Sequence, residues 1–424
     1  MNIHIQNGRL IDAFQNVDAA QSLFIADGKI AALNVAPNGF KADKIIDAAG
    51  KIVCPGLVDL SARLREPGFE HKATLESEML AAVTGGVTSL VCPPDTDPVL
   101  DEPGLVEMLK RRADALHQTR VYPLGALTVG LKGERLSEMV ELTEAGCVGF
   151  FNANQPITNT NTLFRAMQYA ATYGYTVWLC AEESHLANNG IAHDGEVATR
   201  LGLAGIPVSA ETVMISTVTI LMRETGAKVH LARLSSRLGV DAVRAAKADG
   251  LALTCDVGIH HLLLTDRDIG YFDTQYRFAP PLRSPADRDA LSRGVIDGSI
   301  DAICSDHTPL DDDAKNVPFG EALPGSTGLE LLLPLTLKWA RQAEVPVPLA
   351  LKKISRDPAR LLGLSAGSLG IGQPADICIF DPKAFWAVTP QTLRSQGKNS
   401  PYLKRELEGR VTHTLVNGKL VFQA

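Results

Sequence analysis

The chain has 424 residues, of which 45% are hydrophobic and 21% charged, and a formal net charge of -7. This composition is typical of a globular protein with a buried core, and its mixed, acidic charge favours neither nucleic acid nor anionic membranes as partners. The seven cysteines occur singly, and the N-terminus has no signal-peptide pattern. With no apolar run of about 18 residues either, these features predict a cytoplasmic protein with reduced thiols and no membrane segment.

Both ends of the chain have β-strand character. Asp27-Gly28 near the N-terminus and Asn417-Gly418 near the C-terminus each lie between apolar runs, which predicts two β-hairpins. We therefore predict a small composite β-sandwich domain that takes residues 1–52 from one end and 369–424 from the other.

The middle of the chain, residues 53–368, alternates short β-branched or cysteine-containing runs with amphipathic helical stretches. Such alternation is typical of βα units around a parallel sheet. Helices are predicted at 74–84, 161–173, 210–225 and 285–297. Eight strands are predicted at 57–60, 88–92, 120–124, 148–151, 176–180, 229–233, 253–257 and 301–305. Eight units predict an α/β fold of the (β/α)8 TIM-barrel type.

Active sites of such barrels lie at the C-terminal ends of the strands. Here those ends carry arginines, amides and carboxylates. A zinc site needs three or four convergent His, Cys or carboxylate ligands, so we predict no metal and no other cofactor. The candidate positions include Ser61, Arg63, Arg65, Asp95, Asn152, Ala153, Asn154, Cys180, Arg233, His261 and Asp306.

Several motifs in one order resemble those of the dihydroorotases, a family of the amidohydrolase superfamily, over almost the whole chain. They are PGLVDL at 55–60, REPG at 65–68, TGGVT at 84–88, APPLR at 279–283, SDHTP at 305–309 and GQPAD at 372–376.

The resemblance implies a metal site with a His-x-His pair after strand 1, a bridging acid after strand 4, histidines after strands 5 and 6 and an Asp after strand 8. The matching positions here are Ser61 and Arg63, Asn152 or Ala153, Cys180, Arg233 and Asp306, so Asp306 alone fits that pattern. Among the implied substrate contacts Arg65 is kept, whereas Asp95 and Ala279 stand in place of asparagines and Leu310 in place of a histidine; His261 is a further vestigial substrate-site position.

From these departures we predict that the chain is not an enzyme. The resemblance extends to the dihydroorotase-like chain of some bacterial aspartate transcarbamoylases, which implies an assembly role beside that enzyme's catalytic chain in pyrimidine biosynthesis, and self-association as a dimer. One alternative is a divergent cyclic amidohydrolase with a metal set drawn from Cys180, His230, His260, His261 and Asp306. The other is a binding module that holds a carboxylate ligand through Arg65.

Specific contacts are also predicted at the barrel mouth. Arg63 and Arg233 are expected to form an internal ion-pair network with Asp306 and Glu182, because an unpaired carboxylate would be costly there. Arg65 is expected to pair with Glu66 or Asp95. His260 and His261 are expected to be buried and hydrogen-bonded.

Overall fold

A computed structural model describes residues 1–424. Its first part is a set of strands that belong to the small β domain. They are β1 (Ile3–Asp12), β2 (Val17–Ala26), β3 (Lys29–Leu33), β4 (Lys44–Asp47) and β5 (Ile52–Pro55). The predicted turn between β2 and β3 is present, because Asp27 and Gly28 both have positive φ, as a tight two-residue hairpin requires.

The next strands build the barrel, apart from one short pair that lies outside it. They are β6 (Leu57–Asp59), β7 (Val87–Cys92), β8 (Arg120–Pro123), β9 (Gly125–Ala126), β10 (Phe150–Phe151), β11 (Thr176–Cys180), β12 (Ala192–His193), β13 (Gly205–Ile206), β14 (Lys228–Ala232), β15 (Leu253–Gly258) and β16 (Ala302–Cys304). The short pair is β12 with β13.

The barrel is closed and has eight strands. β8 and β9 are two halves of the third strand, since β8 pairs with β7 and β9 pairs with β10. The first and last strands meet just beyond their assigned ends, where the Arg63 amide donates to the His307 carbonyl and the His307 amide to the Ser61 carbonyl. This confirms the predicted (β/α)8 architecture.

The helices follow the strands around the outside of the barrel. They are α1 (Leu75–Thr84), α2 (Pro103–Leu116), α3 (Met139–Ala145), α4 (Thr160–Tyr173), α5 (Ser184–Ala187), α6 (Glu196–Leu201), α7 (Val208–Thr225), α8 (Arg237–Ala248), α9 (Pro285–Asp297), α10 (Leu332–Gln342), α11 (Val347–Lys352) and α12 (Arg356–Leu361). Capping boxes at Thr74 and Ser284 fix the starts of α1 and α9. No helix is long and apolar enough to cross a bilayer.

The chain returns to the small domain through β17 (Ile377–Ala387), β18 (Glu406–Val416) and β19 (Lys419–Gln423). These strands extend the N-terminal sheet in the order β19-β18-β17-β5-β1-β2-β3, with β4 paired to β1. Asn417 and Gly418 form the second predicted hairpin turn, again with positive φ. A separate apolar core holds this domain together, whereas the barrel and its helices share a larger one.

The predicted ends of the sixth and eighth strands differ from the structure at the barrel mouth. The sixth strand was predicted to reach residue 233 and the eighth residue 305, but β14 ends at Ala232 and β16 at Cys304. Arg233 and Asp306 have φ of 59° and 47°. Because a left-handed residue cannot continue a strand, the backbone turns at these positions and aims both side chains inward.

Candidate functional site at the barrel mouth

Four non-glycine residues at the mouth have left-handed backbone conformations. They are Arg65, Ala153, Arg233 and Asp306, with φ between 47° and 66°. Such conformations cost of order 1–3 kcal/mol each and cluster at functional sites when the surrounding contacts hold them in place. The mouth is therefore a constrained part of the fold.

An ion-pair network occupies the centre of the mouth. Arg233 Nη1 lies 2.7 Å from Asp306 Oδ1, and Arg63 Nη1 lies 3.5 Å from the same oxygen. Arg63 Nε also donates to Asp95 Oδ2 at 2.7 Å, and its Nη1 donates to Thr308 Oγ1 at 3.0 Å. All of these groups except Asp95 are almost fully buried. The network agrees with the sequence prediction for Arg63, Arg233 and Asp306, but Glu182 makes no ion pair with either arginine.

The second nitrogen of the Arg233 guanidinium reaches the opposite wall. Nη2 donates to Asn154 Oδ1 and lies 2.7 Å from Cys180 Sγ. Asn154 is one of the candidate residues that the sequence places at the end of the fourth strand, together with Asn152 and Ala153. Ser61 completes the cluster with a long 3.4 Å contact from Oγ to Asp306 Oδ1.

The charges set the protonation states of this cluster. Burial alone would raise the pKa of Asp306, but the charges of Arg233 and Arg63 hold it below its ordinary value. Asp95 behaves in the same way, with its pKa lowered against burial by Arg63 and Arg65. Burial raises the pKa of the Cys180 thiol, although Arg233 opposes the shift. At neutral pH both carboxylates are therefore ionised and the cysteine is a thiol.

Arg65 makes no ion pair with a carboxylate. Its Nε donates to the Pro309 carbonyl at 3.0 Å, and its two Nη atoms have no protein partner. Burial, and next the charge of Arg63, lower its pKa to about 10. The prediction that Arg65 pairs with Glu66 or Asp95 was wrong: Glu66 pairs with Arg112, and Asp95 is taken by Arg63.

Arg65 lines a cleft of about 530 Å³ that is rich in positive charge. The cleft is lined by four cations and two carboxylates, and Ala279 and Leu310 form part of its apolar wall. The charged residues are Arg63, Arg65, Lys72, Asp95, Arg233 and Asp306. A second cleft of about 590 Å³ shares Asn154, Arg233 and Ala279 with the first, so the two are adjoining parts of one mouth.

Three predicted positions point away from the open space. Asn152 is buried and uses its amide to hold the loop after β10, through contacts with Thr128 Oγ1 and the Leu131 and Gln155 carbonyls. Ala153 is buried and has no polar side chain. His261 contacts the Pro280 carbonyl at 3.1 Å, and burial lowers its pKa to about 4.

His260 is also buried, and burial lowers its pKa to about 4. Nδ1 has one long contact, 3.4 Å to the Tyr402 hydroxyl, and Nε2 has no partner. The prediction of buried, hydrogen-bonded histidines therefore holds for one nitrogen in each ring only.

The residues at the position of the metal that the dihydroorotase resemblance implies include arginines and a carboxylate. Guanidinium groups of Arg63 and Arg233 contact Asp306, and arginine has no lone pair for a metal. His230 lies deeper in the barrel, where its two ring nitrogens contact Thr254 and Asp256. No group of three or more His, Cys, Asp and Glu side chains is arranged to hold an ion. The residues present do not fit that metal site, nor the alternative set that includes His230.

Comparison with known proteins identifies relatives along the whole chain. Residues 50–238 match the model of the Dihydro-orotase-like family, and residues 252–422 match that of the Amidohydrolase family. A "Dihydroorotase-like protein" of Pseudomonas aeruginosa is 44% identical, and the similarity covers 100% of both chains. A "Dihydroorotase" of Geotalea daltonii is 41% identical over 99% of both chains.

Solved structures share the fold. L-Hydantoinase (Dihydropyrimidinase) from Arthrobacter aurescens superposes with a TM-score of 0.88 over 99% of this chain and 96% of its own, at 24% identity. A D-hydantoinase gives a TM-score of 0.84 over 100% and 95% of the two chains, at 21% identity.

These comparisons correct one prediction from the sequence. The expectation that the chain is not an enzyme rested on the metal-ligand positions alone, and it is contradicted by full-length relatives at 40–41% identity that are named Dihydroorotase. With similarity of this extent, the chain belongs to the dihydroorotase-like family of amidohydrolases.

Proposed function

We propose that the chain binds and acts on a carboxylated cyclic amide of the dihydroorotate type, or its ring-opened carbamoyl amino acid, at the mouth of the barrel. The observation that carries this proposal is the free face of Arg65. Two Nη atoms without a protein partner open into a cleft with an excess of positive charge. A planar guanidinium is suited to hold a carboxylate through two parallel hydrogen bonds.

Neighbouring residues favour the same ligand. Arg63 and Lys72 line the same cleft and add to the positive potential around Arg65. The adjoining cleft is partly apolar, with Ile206, Ala210 and Pro280 in its wall, which suits the body of a small ring. Cys180 lies there too, in contact with Arg233, and is the one thiol beside the space where the ring would lie. The proposal needs no metal at the Asp306 position.

The test is calorimetry of the full chain with dihydroorotate and with carbamoyl aspartate, combined with chromatography of the same samples. We expect saturable binding that Arg65→Gln weakens at least tenfold. Arg111→Gln, an exposed arginine of α2 with no partner, is the matched control and should leave binding unchanged. No heat with either ligand, or binding indifferent to Arg65, overturns the proposal. If chromatography shows that neither ligand is converted although it binds, the proposal that the chain acts on the ligand is contradicted.

We also propose that the chain works in the cytoplasm as part of an assembly with the catalytic chain of aspartate transcarbamoylase, and that it pairs with a second copy of itself. The outer face of α7 supports a macromolecular contact, since Val213 and Ile220, seven residues apart on one helix face, are 43% and 60% exposed. Co-expression followed by gel filtration tests it. Val213→Glu with Ile220→Glu should reduce the size of the assembly, and the exposed Ile45→Glu should not. Elution of all samples as a monomer alone overturns the proposal.

A further inference from the structure

A second cleft lies between the barrel and the small β domain, apart from the mouth. Its volume is about 740 Å³, including space that is open to solvent, and it is formed by the end of α1, the start of α10 and strands β17 to β19. None of its lining residues lines the mouth clefts. Its chemistry is therefore independent of the dihydroorotase-type site.

Two arginines in this cleft are without partners. The guanidinium groups of Arg394 and Arg410 make no ion pair and no hydrogen bond, although most other arginines of the chain make one or the other. Free guanidinium groups in a concave site favour a carboxylate or phosphate.

The cleft also has an apolar, aromatic part. Trp386 lines it half-buried, with its indole N–H satisfied by the Gly409 carbonyl at 3.2 Å, so the ring itself is available for contact. Phe422 and Val411 add apolar surface. Aromatic faces and guanidinium planes both stack on flat rings.

One buried polar atom in the wall has no partner. The Thr84 hydroxyl, at the end of α1, is inaccessible to solvent and makes no hydrogen bond. A buried hydroxyl without a partner is unfavourable, so this wall of the cleft holds one unsatisfied polar atom. The lining carboxylate of Glu330 is already engaged, because it accepts the amides of Arg394 and Ser395 at 2.7 and 3.0 Å.

We propose that this cleft is a second ligand site, which binds a small anion carrying a flat aromatic ring through Arg394, Arg410 and Trp386. The shared chemistry of the ligand is one anionic group, either phosphate or carboxylate, attached to a planar ring. The site does not depend on the function proposed for the mouth.

The site also has a physical connection to the mouth. Glu330 and Glu78 together hold the backbone of residues 394–396, and Glu78 also accepts from Ser395 Oγ at 2.6 Å. Asn399, five residues after Arg394, donates to the Thr308 carbonyl and accepts the Leu310 amide. Thr308 contacts Arg63 of the mouth. Arg394 therefore belongs to the chain segment that supports the mouth loop.

Fluorescence of the full chain tests the proposal, because Trp178 and Trp339 are buried in the core and Trp386 alone lies in the cleft. The probes are adenosine 5′-monophosphate for a phosphate and indole-3-acetate for a carboxylate, the latter followed by calorimetry because it absorbs with tryptophan. Two controls complete the set: adenosine, which has the ring but no anionic group, and inorganic phosphate, which has the charge but no ring. We expect saturable binding of at least one anionic probe, tenfold or more tighter than either control.

Variants then locate the site. Arg394→Gln with Arg410→Gln replaces two exposed side chains and should weaken binding at least tenfold, whereas Arg200→Gln, an exposed arginine elsewhere, should not. Arg65→Gln should also leave this binding intact, which separates it from binding at the mouth. Absence of binding by both anionic probes, or binding that survives the double variant unchanged, overturns the proposal.

Discussion

Two buried polar clusters begin at adjacent residues of the chain and differ in how completely they are satisfied. Asp306 enters the mouth network with Arg63 and Arg233, whereas His307 turns the other way and contacts Glu78 at 2.6 Å. The left-handed backbone at Asp306 sends the two side chains to different sides. Asp306 thus belongs to the candidate site, and the next residue, His307, belongs to the cluster that holds the surrounding loops.

The mouth cluster is incomplete. Arg63 Nη2 and Arg233 Nε are buried and have no hydrogen-bond partner, and Arg65 has two free Nη atoms. Unused donors beside an open cleft are expected of a site that receives an anion. The positive charge exceeds the negative charge there, so the cluster is stable only while Asp306 and Asp95 remain ionised.

The Glu78 cluster is closed. Glu78 accepts hydrogen bonds from His307 Nε2, Ser395 Oγ, the Gln396 amide and Ser77 Oγ. His307 Nδ1 accepts from the Gly328 amide at 3.0 Å, which fixes the neutral ring with its proton on Nε2. Every polar atom of the pair has a partner, so this cluster stabilises the loops and has no donor left for a ligand.

Asp306→Ala is the strongest test of the contrast. It leaves two buried guanidinium groups side by side without their shared carboxylate, and removal of one partner from a buried ion pair costs about 3–5 kcal/mol. We expect a loss of that size in urea unfolding at neutral pH. Asp312→Ala in the nearby exposed acidic loop is the control and should change stability by less than about 0.5 kcal/mol. A loss for Asp306→Ala as small as that of the control would mean that the arginines do not depend on Asp306.

Glu78→Gln should cost less, about 2–3 kcal/mol, because the neutral amide keeps part of the hydrogen bonding. Burial would raise the pKa of Glu78, but His307, Ser395 and Ser77 hold it below its ordinary value. A carboxyl with a lowered folded-state pKa stabilises fully above its unfolded pKa and loses that contribution as pH falls through the folded value. The difference between wild type and Glu78→Gln should therefore be constant from about pH 6 to 8 and shrink below about pH 4.

Stability measured across that pH range, with the exposed Glu76→Gln of the same helix as control, checks this prediction. A difference that grew as the pH fell would contradict the assigned charge state of Glu78.

The sequence predicted the fold and most of the mouth residues because both follow from local patterns. Alternating strand and helix periodicity gives the barrel, and strand ends give Ser61, Arg63, Arg65, Cys180, Arg233 and Asp306. It could not predict that Arg65 lacks a carboxylate or that Glu78 supports His307. Those outcomes depend on contacts between distant parts of the chain, such as Glu78 with Ser395, 317 residues away.

The prediction that the chain is not an enzyme was wrong. The departures at the metal-ligand positions concern one set of side chains, but the sequence prediction extended them to the whole activity of the chain. Ligand positions report on one set of side chains, whereas similarity over the full length reports on the family. The two kinds of evidence therefore answer different questions.

Ser61→Ala should have a small effect, although Ser61 lies in the mouth cluster. Its Oγ contact with Asp306 is 3.4 Å long, and Asp306 keeps both arginines without it. We expect a loss below about 1 kcal/mol in urea unfolding. Ser305→Ala is the informative contrast, because Ser305 Oγ donates to the fully buried Asp59, whose pKa burial raises to about 7. Equal losses of unfolding free energy for Ser61→Ala and Ser305→Ala would show that the hydrogen bond of Ser61 in the mouth is as strong as that of Ser305 in the interior.

The smallest expected effect concerns metal. Ser61→His with Arg63→His restores the His-x-His pair that the family resemblance implies, yet the Arg233 guanidinium would still contact Asp306 and Cys180, and a zinc site needs at least three convergent ligands. We expect no stoichiometric zinc by elemental analysis after dialysis. Adding Arg233→His to the pair removes the last arginine in contact with Asp306. This triple variant is the matched comparison and is expected to retain more zinc than the double variant. Stoichiometric zinc in the double variant would mean that Arg233 can move away from Asp306. The mouth cluster could then rearrange, whereas the fully hydrogen-bonded Glu78 cluster is expected to keep one arrangement.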